Sequence, residues 1–580
     1  MTTFFTKSLT ILALSISLLA TTSQAQILLD ENFIDWIPAS LQYSDALGDA
    51  SGIDFISLSA SSNNDYLFIK IELDREINLQ DNNNIGLFID TDNDISSGLV
   101  AEGIGVDVLY TFGEREGTFY NSAGRASDIR HRDLGVVTLP TVTSSTFEIA
   151  IKRDAIIDGE PVFANDSIRI VLQNQANNGD IIPDQNGGLL YVFENNPPGP
   201  NKAYSLSKPD TSLTRIMSYN VLRDGLWDNQ QAPALRRIIS ALHPDIIGFQ
   251  EIYNQNSEET RDEVNSILFS QYNQGWYHAE AGNDIKCVSK YPILSTWPVA
   301  GNGAFVIDMG SHELLLFVAH PPCCSNDQGR QQEIDAMMAF IRDAKAGTNG
   351  PQLRPNTPIV ILGDMNLVGL NRQRTTMLTG DIEDNNQYGA DFTPDWNGDD
   401  LIDAKPFATG LPMAITWWQL SSSFAPGRLD YLIYSDSNME LENNFALFTE
   451  TMPAAELAAF GLQASDATEG SDHLPLIGDF RFTLGPPAGL VTDNAILDLQ
   501  CVPNPITSQT AIAEYTLPEA GQVSLNILDN IGRTVYSVKE TVQTSGKHQI
   551  PFDVSSLSSG MYVLKLTTAK HQRSIKILVK

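Results

Sequence analysis

Cysteine is scarce, with four residues in a chain of 580. A disulfide-built scaffold is therefore excluded, and no Cys/His cluster suggests a zinc module. Positive charge is also in short supply: 36 Lys+Arg face 71 Asp+Glu, a formal net charge of -35. Such a chain cannot hold nucleic acid by broad phosphate neutralisation. Local, cation-assisted phosphate chemistry survives that argument. After residue 25 no stretch approaches the roughly 18 apolar residues of a spanning helix. Charged residues make up only 18% and hydrophobic ones 42%, enough for several cores and too much for general disorder.

The first 25 residues read as an export signal. Lys7 supplies the positive start, Leu9 to Leu19 the apolar run, and Ser23-Gln24-Ala25 the small residues of a cleavage site. A retained membrane anchor is the alternative. The remainder, expected to be soluble and exported, divides by charge. Residues 26–205 carry 28 acids and 10 bases, residues 206–494 carry 37 and 17, and residues 495–580 carry 6 and 8. Pro/Gly runs at 196–200 and 485–489 sit near the borders, as linkers do. The expected units are a signal peptide (1–25), a β-sandwich (26–205), a catalytic domain (206–485), a linker (486–497) and a small terminal β-sandwich (498–580).

The first unit reads as all-β, with alternating runs at 65–73 (DYLFIKIEL) and 146–152 (TFEIAIK). Asp90, Asp92 and Asp94 fall at alternate positions after a strand. Carboxylates so spaced could wrap a hard cation such as Ca²⁺, or form a solvated Asp/Asn turn. This unit resembles the β-sandwich modules of the family 9 carbohydrate-binding and DOMON-like group. The resemblance implies a binding role, for a carbohydrate or another surface ligand. The terminal unit carries Pro503-Asn504-Pro505, Gly532-Arg533, Gly560-Met561-Tyr562 and a basic end at Lys576–Lys580. It resembles the C-terminal sorting domains read by type IX secretion machinery, which implies a secreted or cell-surface protein.

In the middle unit strand and helix patterns alternate, and polar residues collect at strand ends. Buried strands are near-continuously apolar and their ends open into loops, where function gathers. Asn220, Glu251, His320, Asp364, Asn366, Asp472 and His473 all lie at such ends. One Asn or Asp there caps a turn and one His is usually structural; seven together point elsewhere. Carboxylate and amide oxygens suit Mg²⁺ or Mn²⁺, while two histidines can donate to charge developing on a phosphate. Cys323 and Cys324 follow His320 closely, free to pair with each other, to pair with Cys287, or to remain thiols.

The ordered motifs at 218–220 (SYN), 244–251 (PDIIGFQE), 289–293 (SKYPI), His320, 363–366 (GDMN), 428–431 (RLDY) and 471–473 (SDH) carry a specific resemblance. This segment resembles the endonuclease/exonuclease/phosphatase superfamily, of DNase I fold. That resemblance implies a central α/β four-layer sandwich flanked by the two β-sandwiches. It implies metal ligation by Glu251, helped by Asn220 and with Asp472 close by. It further implies that Asp364 and Asn366 position water and phosphate, and that His473, oriented by Asp430, contacts the scissile phosphate. His320 would be the second histidine, with Asp284 the nearest match to its partner acid. Lys290 and Met365 depart from the common Arg and Phe, and Asp403 would support the site wall. The acidic run 395–403 matches part of a Ca²⁺ loop but lacks its final Glu. The implied activity is a secreted, metal-dependent phosphodiesterase, foremost a nuclease. The alternatives are a sphingomyelinase-like enzyme, a small-molecule phosphatase, or an adhesion protein with a retired site.

Overall fold

The computed structural model describes residues 26–37, 41–195, 197–199, 201–268, 275–483, 499–517, 521–528, 534–568 and 572–580. The signal peptide at 1–25 and the linker at 486–497 lie outside the described residues.

The N-terminal unit is built from two antiparallel sheets. One has five strands, in the order Leu41–Ser44, Phe55–Ser62, Tyr66–Ile77, Ser144–Lys152, Val137–Leu139. The other is centred on Ser167–Asn174 and Ile85–Asp90. Alternation along Tyr66–Ile77 divides its side chains between two cores. Leu67, Ile69, Ile71 and Leu73 join Leu87, Ile89 and Ile170 between the sheets. Tyr66 and Phe68 face the other way and share a core with residues of the middle unit such as Ile415 and Phe448. The opposite face of this sheet is therefore an internal interface rather than a solvated surface.

Further contacts tie the two units together. Leu29 bonds to the Pro412 carbonyl at 2.8 Å. Asn78 Nδ2 donates to the Val368 carbonyl (2.7 Å), Gln80 Oε1 accepts from the Ala425 amide (2.7 Å), and Thr141 Oγ1 donates to the Leu367 and Arg428 carbonyls (both 2.9 Å). Glu31 pairs with Arg428 at 3.1 Å and Arg374 at 2.6 Å.

The middle unit contains two six-stranded sheets. Each has one parallel pair: Thr214–Asn220 with Ile246–Gln250, and Glu313–Ala319 with Ile359–Asp364. All four strands are almost wholly buried; three are chiefly apolar, and Thr214–Asn220 buries Arg215, Ser218 and Asn220 as well. Ile216 and Ile246 of one sheet share a core with Leu316, Val318, Val360 and Leu362 of the other. At Gly248 the approach is so close that a Cβ would lie 2.7 Å from both Leu362 and Val318 side-chain carbons. Helices cover the remaining faces. Ala232–Leu242 packs Leu235, Ile238, Ile239 and Leu242 against Met217 and Phe249, the i, i+3, i+4, i+7 spacing of an amphipathic helix. Asp327–Ala346 packs Ile334, Met337, Met338 and Ile341 against Leu315 and Phe317. Its N-cap Asn326 accepts from the Gly329 amide, and Gly347 closes it at φ 65°.

Arg215 fixes the edge of this core. Its fully buried guanidinium makes two 2.7 Å bonds to Asp479 and a third to the Leu242 carbonyl. Asp479→Ala would strand that charge without its counterion. We expect a loss of about 3 kcal/mol in urea unfolding, and an unchanged midpoint would refute this role.

The terminal unit has sheets of three and four strands, Gln500–Val502/Thr510–Leu517/Gly546–Asp553 and Thr534–Gln543/Gly521–Leu528/Gly560–Thr568/Gln572–Val579, around a core of its own. Among the described residues no helix is long and apolar enough to cross a membrane.

Candidate active site

The two parallel pairs end on the same side, and the polar residues at their C-terminal ends meet there. Asn220 closes its strand with its side chain wholly buried. Its Nδ2 donates to Glu251 Oε1 at 3.0 Å and to Asp364 Oδ2 at 3.1 Å, bridging the two sheets. Glu251 follows the strand Ile246–Gln250 in the left-handed region, φ 63°. Three more non-glycine residues, Leu222, Arg223 and Asp224, adopt φ of 47°, 54° and 62° in the facing loop. Consecutive side chains held there are uncommon and cluster at functional sites. The geometry turns the Arg223 amide onto Glu251 Oε2 at 3.0 Å.

Each histidine stands between two carboxylates. His320 Nδ1 lies 2.5 Å from Asp284 Oδ2, and its Nε2 is 3.5 Å from Asp364 Oδ2. His473 Nδ1 lies 2.8 Å from Asp430 Oδ2, and its Nε2 is also 3.5 Å from Asp364 Oδ2. Asp430 reaches this position because its strand runs antiparallel to Ile359–Asp364 with Asp364 opposite Asp430. Burial disfavours the imidazolium of His320, but the bond to Asp284 and the charges of Asp364, Asp284 and Glu251 outweigh it, raising the pKa to about 9. His473 is raised as well, with Asp430 and then Asp364 overcoming its burial.

Asp364 Oδ1 accepts from the Asn366 amide at 2.9 Å, and Asn366 Nδ2 donates to the Pro321 carbonyl at 3.1 Å. Asp472 Oδ2 accepts from Trp417 Nε1 at 3.2 Å, while its Oδ1 is buried without a partner. Glu251, His320 and Asp364 offer atoms within 4.8 Å of one another, as do Asp364, Asp430 and His473. Asp403 sits behind the wall, clamped by Arg428 Nη1 at 2.9 and 2.7 Å. The cysteines beside His320 are joined, Cys323 to Cys324, and Cys287 is free and buried. Of the acids at 90–94, Asp90 and Asp92 converge with Asp107. Asp94 instead accepts from the Ser96 amide and hydroxyl.

These residues open into a cleft of about 1390 Å³. One of its walls was not foreseen, because it comes from the N-terminal sandwich: Glu76, Asn78, Gln80, Asp81, Thr141 and Thr143 line it. No local sequence signal marks them, since the contacts that place them span up to 345 residues. Trp417, Phe424 and Leu370 add apolar surface, and Arg115 stacks on Phe424 at 4.2 Å. Among the described residues, eight carboxylates line the cleft against one arginine, Arg223.

Among solved structures, the catalytic domain of human Nocturnin with bound sulfate is 16% identical, with 47% of this chain and 95% of that one covered and a TM-score of 0.30. D. rerio TDP2 complexed with single-strand DNA product is 14% identical, covering 47% and 100%, with a TM-score of 0.31. Sphingomyelinase C from Streptomyces griseocarneus is 15% identical, covering 46% and 99%, with a TM-score of 0.28. No curated protein matches the chain. Residues 501–580 match the secretion system C-terminal sorting domain, which indicates export to the cell surface or beyond. Residues 217–473, the segment that holds the whole cluster, match the Endonuclease/Exonuclease/phosphatase family.

Proposed function

We propose that the protein is an exported, divalent-metal-dependent phosphodiesterase. The observation that carries this reading is one carboxylate, Asp364, set between two histidines and bridged through Asn220 to Glu251. The donor set fits Mg²⁺ or Mn²⁺: carboxylate and amide oxygens, with a buried, unpartnered oxygen on Asp472. Glu251, Asn220 and Asp472 are the residues that would hold the ion. When bound, it supplies positive charge to offset that of the phosphoryl oxygens.

The chain's own groups account for the rest. Asp284 and Asp430 fix the Nδ1 atoms and so leave both Nε2–H donors for phosphate oxygens. Asp364 and Asn366 are placed to orient the attacking water. A protonated histidine can return a proton to the leaving oxygen.

A nuclease is the first substrate reading, in keeping with the motif set. The cleft lining favours a second, narrower one. Glu76, Asp81, Asp327 and Glu333 lie around the site beyond the central cluster, where a long duplex would carry its flanking phosphates. Repulsion there favours a compact phosphodiester or a strand end over a continuous duplex. The test is hydrolysis of duplex DNA, single-stranded DNA, a dinucleotide and sphingomyelin, each with Mg²⁺ and with excess EDTA. We expect Mg²⁺-dependent turnover, with kcat/KM on the dinucleotide or strand end at least about tenfold above duplex. Equal rates in EDTA would remove the metal-dependent reading. Preference for long duplex would remove the compact-substrate reading alone.

A further inference from the structure

A second group of carboxylates lies at one end of the N-terminal sandwich. Asp45 follows the strand Leu41–Ser44, and Asp54 precedes its partner Phe55–Ser62; Asp49 is in the loop between them. Asp180 and Asp184 flank Ile181–Ile182, the edge strand of the opposite sheet. Oxygens of Asp45, Asp180 and Asp184 lie within 4.8 Å of one another, and so do those of Asp49, Asp54 and Asp180. Asp180 belongs to both sets, making five acids one continuous group.

The group lacks the partners that buried charge requires. Asp54 is only 6% exposed; its Oδ2 accepts from the Gly48 amide at 2.7 Å, but its Oδ1 is buried with no partner. Asp180, 3% exposed, accepts from the Phe55 amide of the facing sheet and from its neighbour Ile181. Among the described residues no lysine or arginine pairs with any of the five, and nearby Arg75 is engaged by Asp74 at 2.6 Å. The crowding registers on Asp45: burial, followed by the charges of Asp184, Asp180 and Asp49, pushes its carboxyl up to about 7. An unpartnered buried oxygen costs free energy unless something pairs with it, and the one cation noted nearby, Arg75, is already held by Asp74.

We propose that Asp45, Asp49, Asp54, Asp180 and Asp184 form a Ca²⁺ site that fastens the 45–54 loop of one sheet to the edge strand of the other. Oxygen-only donors on irregular loops, without nitrogen or sulfur, suit Ca²⁺, which accepts six to eight ligands in flexible geometry. Mg²⁺ demands a tighter octahedron and keeps its waters. The site fastens the two sheets of the module whose far edge walls the active cleft, and its role is structural.

The experiment is thermal unfolding and calorimetric Ca²⁺ titration of the full chain, in the Glu251→Gln background so that the catalytic cluster is weakened as a competing site. Ca²⁺ at about 1 mM should raise the Tm by roughly 5 °C over EGTA, and Mg²⁺ at the same concentration should not. Asp54→Asn keeps an acceptor for Gly48 and presents a donor to the other carboxylates. It should abolish the Ca²⁺-dependent shift while leaving the Tm in EGTA equal to or above that of the parent. Asp184→Asn, at an exposed position, should weaken Ca²⁺ binding at least about tenfold without touching the core. Absence of a Ca²⁺-dependent shift in the parent, or its survival in both variants, would overturn the site.

Discussion

Glu251→Gln is expected to lower kcat at saturating Mg²⁺ by at least about a thousandfold, close to 4 kcal/mol of transition-state stabilisation. The substitution keeps the shape and removes the charge. In the folded protein Glu251 uses one oxygen to accept from Asn220 and the other to accept from the Arg223 amide. A glutamine satisfies only one of these donors, so a loss of about 1 kcal/mol in stability should accompany the change. Part of that loss is offset, since Asp364 and Asp284 stand close by and one negative charge leaves the group. The fold should persist, shown by an unchanged circular dichroism spectrum and a cooperative unfolding transition. If Glu251 holds the ion, the Mg²⁺ concentration for half-maximal rate should also rise. A variant that turns over normally, or a wild-type protein active in excess EDTA, would end the metal-based reading.

The residues of this cluster were legible because each occupies a predictable place on its own segment. Asn220, Glu251 and Asp364 end apolar strands, Asp430 begins one, and His473 just precedes another. An apolar run followed by an acid is a local pattern, and local patterns can be read without coordinates. The pairing of His320 with Asp284 was harder to read, because Asp284 lies in a turn with no motif around it. The cleft wall from the sandwich was not legible at all. Run 65–73 alternates as a half-solvated strand would, yet Tyr66 and Phe68 on its second face are buried against the middle unit. Alternation reports that a strand has two faces; it does not report what covers the second one. The five acids from Asp45 to Asp184 were missed for a related reason. They come from two segments over a hundred residues apart, and only tertiary pairing brings them together.

The two histidines should behave as one unit. His473→Ala is expected to lower kcat about a thousandfold and His320→Ala about a hundredfold, within the range for a lost transition-state donor or general acid. His473 should matter more, since it is 5% exposed and locked to Asp430, which is 1% exposed. His320 is more accessible and lines the cleft beside Pro321 and Pro322. Their coupling runs through Asp364, whose Oδ2 stands 3.5 Å from both Nε2 atoms. With both rings present, the carboxylate is shared and each Nε2 remains available to a phosphate oxygen. With one ring removed, Asp364 can draw closer to the other and occupy the donor that the substrate needs. Each single variant therefore already forfeits part of its partner's contribution. The double variant should lose clearly less than the product of the two single losses, the signature of groups that act together. Strict multiplicativity would make the histidines independent. Near-normal kcat in His320→Ala would leave that residue as a support for the strand end, with His473 alone donating to the phosphate.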